Sequence, residues 1–411
     1  MADIKAFAAV RPLPELASKI AALPYDVYNR EEARAVVEGD NYSFLRIDRP
    51  ETQFEPDHDM YSQEVYDKGR DMLLQMIADG EYIRDVDDCY YIYELIMDGR
   101  HQTGIVAASS IDDYINGIIK KHENTRAEKE KDRINHVYTL SAQTGPIFLA
   151  YRDSDVLNEI VNEKKKETPV YGFTSDDGIT HNVWVIDDAE IIGKVKDAFS
   201  AIDDIYIADG HHRAASAVKV GIRKREENPG YKGDEEFNYF LSVLFPESEL
   251  AILPYNRVVR NLGTCKDGSE FIARISEICT VEPVSAAYQP DAKGCFGLYL
   301  EDKWYKLTIS DNLRSDDPVE GLDVSLLQNH ILGPVLGIDD PRTSSDIDFV
   351  GGIRGLSELE RRCHTDMKLA FSMYPTSIQE LFSVADAGLL MPPKSTWFEP
   401  KLRSGIFIHE I

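Results

Sequence analysis

An aspartate, a glycine, two histidines and an arginine stand in a row at Asp209-Gly210-His211-His212-Arg213. This is the densest chemistry in the chain. The glycine lets backbone approach a ligand closely. The arginine carries a planar fork of donors suited to phosphate oxygens. The aspartate could cap a helix, hold a magnesium ion or hold an amine. Ahead of it, Ile205-Tyr206-Ile207-Ala208 is a short apolar run that predicts a buried strand. Behind it, Ala214, Ala215, Val218 and Ile222 recur at helical spacing, which predicts a helix beginning near His211. The first N–H groups of a helix lack partners within it, and the helix dipole adds positive charge there. Such an end favours an anion, phosphate above all. A solvated, dipole-compensated helix end is the competing reading, and the residues alone leave both open. Zinc is disfavoured, because adjacent helical residues point about 100° apart and no His-x-x-x-His or Cys-x-x-Cys spacing lies nearby.

A second stretch carries a carboxylate. Tyr114, Ile115, Ile118 and Ile119 predict a helix ending around Lys121, and Thr125 with Glu128 predicts a capping box opening a helix that runs to Leu140. Glu123 is then expected in a bend between two helices. A carboxylate there can act as general base if it reaches the proton it takes; by spacing alone it reads equally as a helix-flanking surface charge. Two further loops are candidates. Met391-Pro392-Pro393-Lys394-Ser395-Thr396 is stiff and rich in donors, and reads either as a clamp over phosphates or as a proline-bounded exit loop. Pro24-Tyr25-Asp26-Val27 leads to Asn29 and Glu32, a capped helix start, and either borders a ligand or is a plain turn. Arg257 is a further candidate phosphate contact.

Gly210-His211-His212-Arg213, followed by Ala217, resembles the phosphate-gripping motif of the ParB/sulfiredoxin superfamily, and the longer form from Asp209 resembles the free-serine kinases of that group. The segments Pro24-Tyr25-Asp26-Val27, His122-Glu123-Asn124-Thr125 and Met391 to Thr396 are similar to the pattern of a bacterial family carried as a domain of unknown function, over nearly all of the chain. The resemblance implies a small-molecule kinase making O-phosphoserine from free L-serine, or a similar substrate, with ATP or ADP and Mg2+. It implies nucleotide contacts at Gly210, His211, His212 and Arg213, with Thr125, Lys394, Ser395 and Thr396. It also implies Glu123 as the base, with Asp209 positioning the substrate or the metal. A nucleotide-binding regulatory module without turnover is the alternative.

The elements that must position these groups predict an α/β fold, of the α+β kind with a mixed sheet, and a ParB/sulfiredoxin-like central domain. Three segments are expected: 1–110, 111–260 as the nucleotide-binding core, and 261–411. Tyr42 to Arg46 and Phe271 to Ile278 predict strands. Val65, Met72, Leu73, Met76 and Ile77 predict an amphipathic helix, and Tyr90 to Met97 with Gly104 to Ala108 a hairpin. The chain has 411 residues, with 72 acidic against 45 basic side chains and a formal charge of −27. Such a surface repels nucleic-acid backbones and anionic membranes, so neither is an expected partner. No apolar run approaches the roughly 18 residues of a membrane helix. The first residues lack the features of a signal peptide, and a cytoplasmic location is expected. The five cysteines are scattered and predict reduced thiols. Oligomeric state leaves no signature.

Overall fold

The computed structural model describes residues 1–125 and 127–411, without the side chains of Glu128 and Lys129. The capping box expected at Thr125 and Glu128 lies in part outside the described residues. Chain contacts gather into two compact units, 1–250 with 400–411, and 251–399. The expected segment boundary at 110 falls inside the first unit, at the end of one of its central strands. The expected boundary at 261 lies ten residues past the start of the second.

The first unit is built on a nine-stranded mixed sheet. In chain order its strands are β1 (Ile4–Lys5), β2 (Tyr90–Met97), β3 (Arg100–Ser110), β4 (Ile119–Lys120), β5 (Ile147–Tyr151), β6 (Tyr171–Thr174), β7 (Thr180–Ile186), β8 (Ile205–Asp209) and β9 (Tyr239–Pro246). They lie in the order β4-β8-β5-β9-β3-β2-β7-β6, with β1 also paired on β3. The hairpin of β2 and β3 is the one the sequence predicts. Two pairings matter for the site. β4 runs parallel to β8, and β5 runs antiparallel to it.

The helices that pack on this sheet or on one another include α1 (Gln63–Ala78), α2 (Ala127–Leu140), α3 (Ala189–Ser200) and α4 (His211–Glu227). One apolar layer joins Ile92, Ile105, Leu149, Ile205, Ile207 and Phe240 of the sheet to Phe199 of α3 and to Ala214, Ala217 and Val218 of α4. Ala214 and Ala217 are small enough to bring the start of α4 close to the strands. α2 is held from both sides. Tyr66 of α1 donates to Asp132 Oδ1 at 3.0 Å, and Ser216 of α4 donates to the Glu130 carbonyl at 3.2 Å.

The second unit carries a six-stranded sheet. Its strands are β10 (Tyr255–Val259), β11 (Cys279–Val284), β12 (Cys295–Leu300), β13 (Lys303–Ile309), β14 (Ile347–Gly351) and β15 (Leu369–Met373), in the order β11-β13-β12-β15-β10-β14. Its pairings are all antiparallel, and α5 (Gly355–Thr365) covers one face through Leu359. The mixed α/β class is as expected.

Three local expectations change. Residues 45–48 form a short helix, Leu45–Asp48, where a strand is predicted; Phe44, Leu45 and Ile47 are all buried in one cluster with Leu73 and Tyr82, and only a turn of helix brings all three inward. Gly268–Ile275 is a helix capped by Asp267, where Phe271 to Ile278 predicts a strand; its apolar residues Phe271 and Ile275 fall four apart, on one helical face. The helix expected to reach Lys121 ends early. It spans Ile111–Asn116 and stops at Gly117, whose φ of 78° is the left-handed conformation that closes helices. The chain then extends as β4.

Candidate functional site

The helix stop at Gly117 decides where Glu123 lies. Because β4 pairs in parallel with β8, Ile119 opposite Ile205 and Lys120 opposite Tyr206, both strands leave the sheet at the same edge. The residues after β4 are His122 and Glu123, and those after β8 are Gly210 and His211. In open mixed sheets the carboxyl ends of parallel strands are where ligands gather. Glu123 therefore sits after a strand, and not in the bend between two helices that its sequence suggests.

The first residue at this edge, Asp209, is freed by an irregularity. The pairing of β8 with β5 slips between Ile207 and Asp209. Strict alternation would send Asp209 to the face of Ile205 and Ile207, into the apolar layer. The bulge breaks that alternation, and Asp209 Oδ2 lies 3.2 Å from Lys401 Nζ and 3.6 Å from Arg213 Nη2. Burial opposes its ionisation, but Lys401 and Arg213 hold the carboxyl far below the usual range. Asp209 does not cap α4. Gly210, with φ of 93°, is the residue before the helix, and no side chain caps the helix start. A Cβ at Gly210 would stand 3.1 Å from the Arg213 guanidinium, so the left-handed turn and the close approach both call for glycine. Arg213 itself points inward. Its Nη1 donates to the Pro146 carbonyl at 2.6 Å, just before β5.

His211 and Glu123 meet. His211 Nδ1 lies 3.9 Å from Glu123 Oε2, and the His122 backbone N–H donates to His211 Nε2 at 3.5 Å. The two imidazoles stack edge to face, with centroids 4.5 Å apart. Burial, and then the neighbouring imidazole, push His211 well below its ordinary value. Burial pushes His122 down to about 4, with Asp209 acting the other way. Both rings are neutral at physiological pH. Since Nε2 of His211 accepts, its proton sits on Nδ1, facing the Glu123 carboxylate.

His212 and Thr125 belong to a neighbouring cluster. Thr125 Oγ1 donates to Glu130 Oε2 at 2.8 Å, and Lys219 of α4 pairs with the other oxygen of Glu130. Burial opposes the ionisation of Glu130, while Lys219, Thr125 and then His212 hold it low. Behind Arg213 is a small cavity of about 30 Å³ that Tyr25, Asp48, Arg133 and Thr144 line with it, room for a water or two. The Arg133 guanidinium lies over the Tyr25 ring, 4.1 Å from its centre. Tyr25 thus borders this small cavity, while Asn29 and Glu32 form the predicted capping box.

Lys394, Ser395 and Thr396 lie in the second unit. There the Lys394 carbonyl accepts from Arg257 Nη2 at 3.1 Å. Ser395 Oγ donates to the Pro392 carbonyl at 2.6 Å, and the Ser395 carbonyl accepts from Thr376 at 3.0 Å. Lys401, which no spacing signal marks, arrives at Asp209 from 192 residues away.

The magnesium expected on Asp209 does not suit this donor set. Two cations already face its carboxylate, and a dication would meet both. Among the described residues no three His, Cys, Asp or Glu side chains gather as metal ligands. Nor, among them, is any helix long and apolar enough to cross a membrane.

A protein-family profile described as "Protein of unknown function (DUF1015)" matches residues 4–325. The chain belongs to this family. Among solved structures, the DUF1015 chain is similar to a glutamate-to-glutamine mutant of a free serine kinase in complex with AMP. The identity is 13% and the TM-score 0.35, covering 73% of this chain and 92% of that one. It is similar to SbnI with a C-terminal truncation from Staphylococcus aureus, at 10% identity and a TM-score of 0.37, covering 72% and 85%. A conserved hypothetical protein from Pyrococcus furiosus matches at 14% identity and a TM-score of 0.34, covering 74% and 94%.

Proposed function

We propose that this protein is a small-molecule kinase that transfers a phosphoryl group from ATP or ADP to the hydroxyl of free L-serine or a similar small alcohol. The observation that carries the proposal is the meeting of Glu123 with His211 at the uncapped start of α4. It joins a carboxylate to an anion-favouring helix end, which is the pairing that phosphoryl transfer to an alcohol needs. The relation to ParB/sulfiredoxin proteins rests on the Gly210 to Arg213 motif.

In this reading the nucleotide's terminal phosphates rest on the first N–H groups of α4. Glu123 accepts the hydroxyl proton as the substrate oxygen bonds to phosphorus and the bridging oxygen of the nucleotide leaves. The Nδ1–H of neutral His211 orients the Glu123 carboxylate. Asp209 holds Lys401 and Arg213 in fixed places, so that their charge need not reorganise during transfer. Magnesium commonly neutralises phosphate oxygens in such reactions; it would come with the nucleotide, and Asp209 is not its ligand.

The test is product formation. Purified protein with serine and either ATP or ADP should yield O-phosphoserine by mass spectrometry, and Glu123→Gln should lose it while still binding nucleotide. If neither nucleotide gives product with the parent protein, the kinase reading fails. Saturable nucleotide binding that Arg213→Ala abolishes would then leave the regulatory module in its place.

A further inference from the structure

The C-terminal strip supplies one cation to Asp209 and, two residues on, another to a different place. Arg403 is 2% exposed, and its Nη2 pairs with Asp177 Oδ2. Its Nη1 is buried and has no hydrogen-bond partner among the described residues. The Oγ of Ser175, also buried, has none among them either. Both residues line one open cleft of about 570 Å³ in the first unit, which shares no lining residue with the Glu123 and Asp209–Arg213 site. Cavities of this size take small molecules. A buried guanidinium with an idle N–H and an idle hydroxyl on the wall of one cleft are costly unless something binds there.

The charges around the cleft narrow the ligand. Lys19 and Arg403 line it, and so do Asp40, Asp176 and Asp177. Asp177 is spent, since Oδ1 accepts from the Ile179 N–H and Oδ2 from Arg403. Asp40 is engaged in turn, accepting from the N–H groups of Tyr42 and Ser43. Asp176 is exposed, and among the described residues no such bond engages it. A simple anion would face three carboxylates, and a simple cation would face a buried arginine. A zwitterion meets neither conflict.

We infer that this cleft binds a free α-amino acid, with its carboxylate on Arg403 Nη1 and the Ser175 hydroxyl, and its ammonium on Asp176. Arg403 gives the carboxylate a charge-assisted partner in a poorly hydrated wall. Ala22, Leu23 and Val36 offer apolar surface to the ligand's side chain. The inference does not rest on the kinase reading, because binding here needs no nucleotide and no base.

Calorimetry on the full chain without nucleotide, titrating each of the protein amino acids, tests it. At least one should bind saturably. Its amide, which lacks the carboxylate, and its N-acetyl form, which lacks the ammonium, should each bind at least about tenfold more weakly. Arg403→Lys should weaken binding, but it also disturbs the wall Arg403 shares with Asp177. Asp176→Asn, at an exposed position, and Ser175→Ala keep the test sharp, and each should weaken binding several-fold. No saturable heat from any amino acid at millimolar concentration, inorganic phosphate binding as tightly as the best amino acid, or affinity indifferent to both Asp176→Asn and Ser175→Ala would overturn the assignment. Absence of phosphoserine in the kinase assay would leave it standing.

Discussion

Arg213 and Arg257 are both tied to backbone carbonyls, one in each unit, and differ in what lies beside the guanidinium. Arg213 has Pro146 on one nitrogen and Asp209 near another, with Lys401 on the same carboxylate oxygen. Arg257 is 3% exposed and donates to the Tyr255 and Lys394 carbonyls, with its plane near the Phe349 ring. It makes no ion pair among the described residues, and burial pushes it down to about 10. A carboxylate lets the first unit gather several charges at one strand edge, where they can act on a ligand. Carbonyls alone let the second unit bury a single charge, which works as a clasp holding the Lys394 loop to β10. The first arrangement gathers charge at a strand edge, and the second fastens a loop.

Activity separates them most. On the proposed reading Glu123→Gln removes the proton acceptor at the corner and should lower the rate of phosphoserine formation by about 10²–10⁴-fold, the usual contribution of a general base. Arg257→Gln should leave that rate within about twofold, or about 0.4 kcal/mol of barrier. Equal losses in the two variants, measured at saturating nucleotide and serine, would erase the distinction.

Acid should separate them next. His122 and His211 are held neutral in the folded chain and gain protons when it unfolds. Stability is complete above the ordinary imidazole value near 6.5 and declines below it. For His122 the decline runs from about 6.5 to about 4, worth about 3 kcal/mol at the lower end. His122→Phe should flatten that part of the profile, read from urea midpoints between those pH values. A parent profile with no slope there would mean that the corner does not keep its imidazoles neutral.

What the sequence disclosed of this corner was its local part. Ile205 to Ala208, the turn at Gly210 and the apolar spacing of α4 are short-range signals, and each formed as expected. The position of Glu123 was not local. Ile118 and Ile119 fit a helix as well as a strand, and only parallel pairing with Ile205 and Tyr206, some 86 residues away (205 minus 119), selects the strand. The slip in register that turns Asp209 out of the apolar layer depends on the partner strand β5, so the sequence left Asp209 open between a helix cap, a metal ligand and an amine contact. Lys401 had no signal at all, because an ion pair across 192 residues imposes no spacing. In the second unit, Phe271 and Ile275 satisfied both periods over a short run, and the capping Asp267 was the feature that distinguished them.

The charges at Asp209 provide a smaller effect. Asp209→Asn leaves Lys401 and Arg213 facing each other without the carboxylate. Removing one partner of a buried ion pair costs roughly 3–5 kcal/mol, and since Asp209 is 34% exposed solvent screening reduces this to about 2 kcal/mol at neutral pH. The parent's advantage is present above the unfolded carboxyl value near 4 and lost as pH falls below it toward the depressed folded value. Urea midpoints of parent and variant should therefore converge in strong acid. A constant gap down to acid pH would assign the loss to packing.

Arg257→Gln is the smallest effect and the sharpest probe of the comparison. The substitution removes a buried charge that has no carboxylate, which favours the folded state, since exchanging buried charge for neutral groups is often neutral or stabilising. It also leaves one of two carbonyls, Tyr255 or Lys394, without its donor, which opposes it by about 1–3 kcal/mol, while the amide keeps the other bond. The two contributions offset, and the urea midpoint should move by less than about 1 kcal/mol in either direction. Arg257→Met, which leaves both carbonyls bare, should cost more than Arg257→Gln, and the difference between them measures one carbonyl bond. If Arg257→Gln proved costlier than Asp209→Asn, the guanidinium in the second unit would be a charge the protein depends on, and the division between a chemical corner and a structural clasp would be wrong.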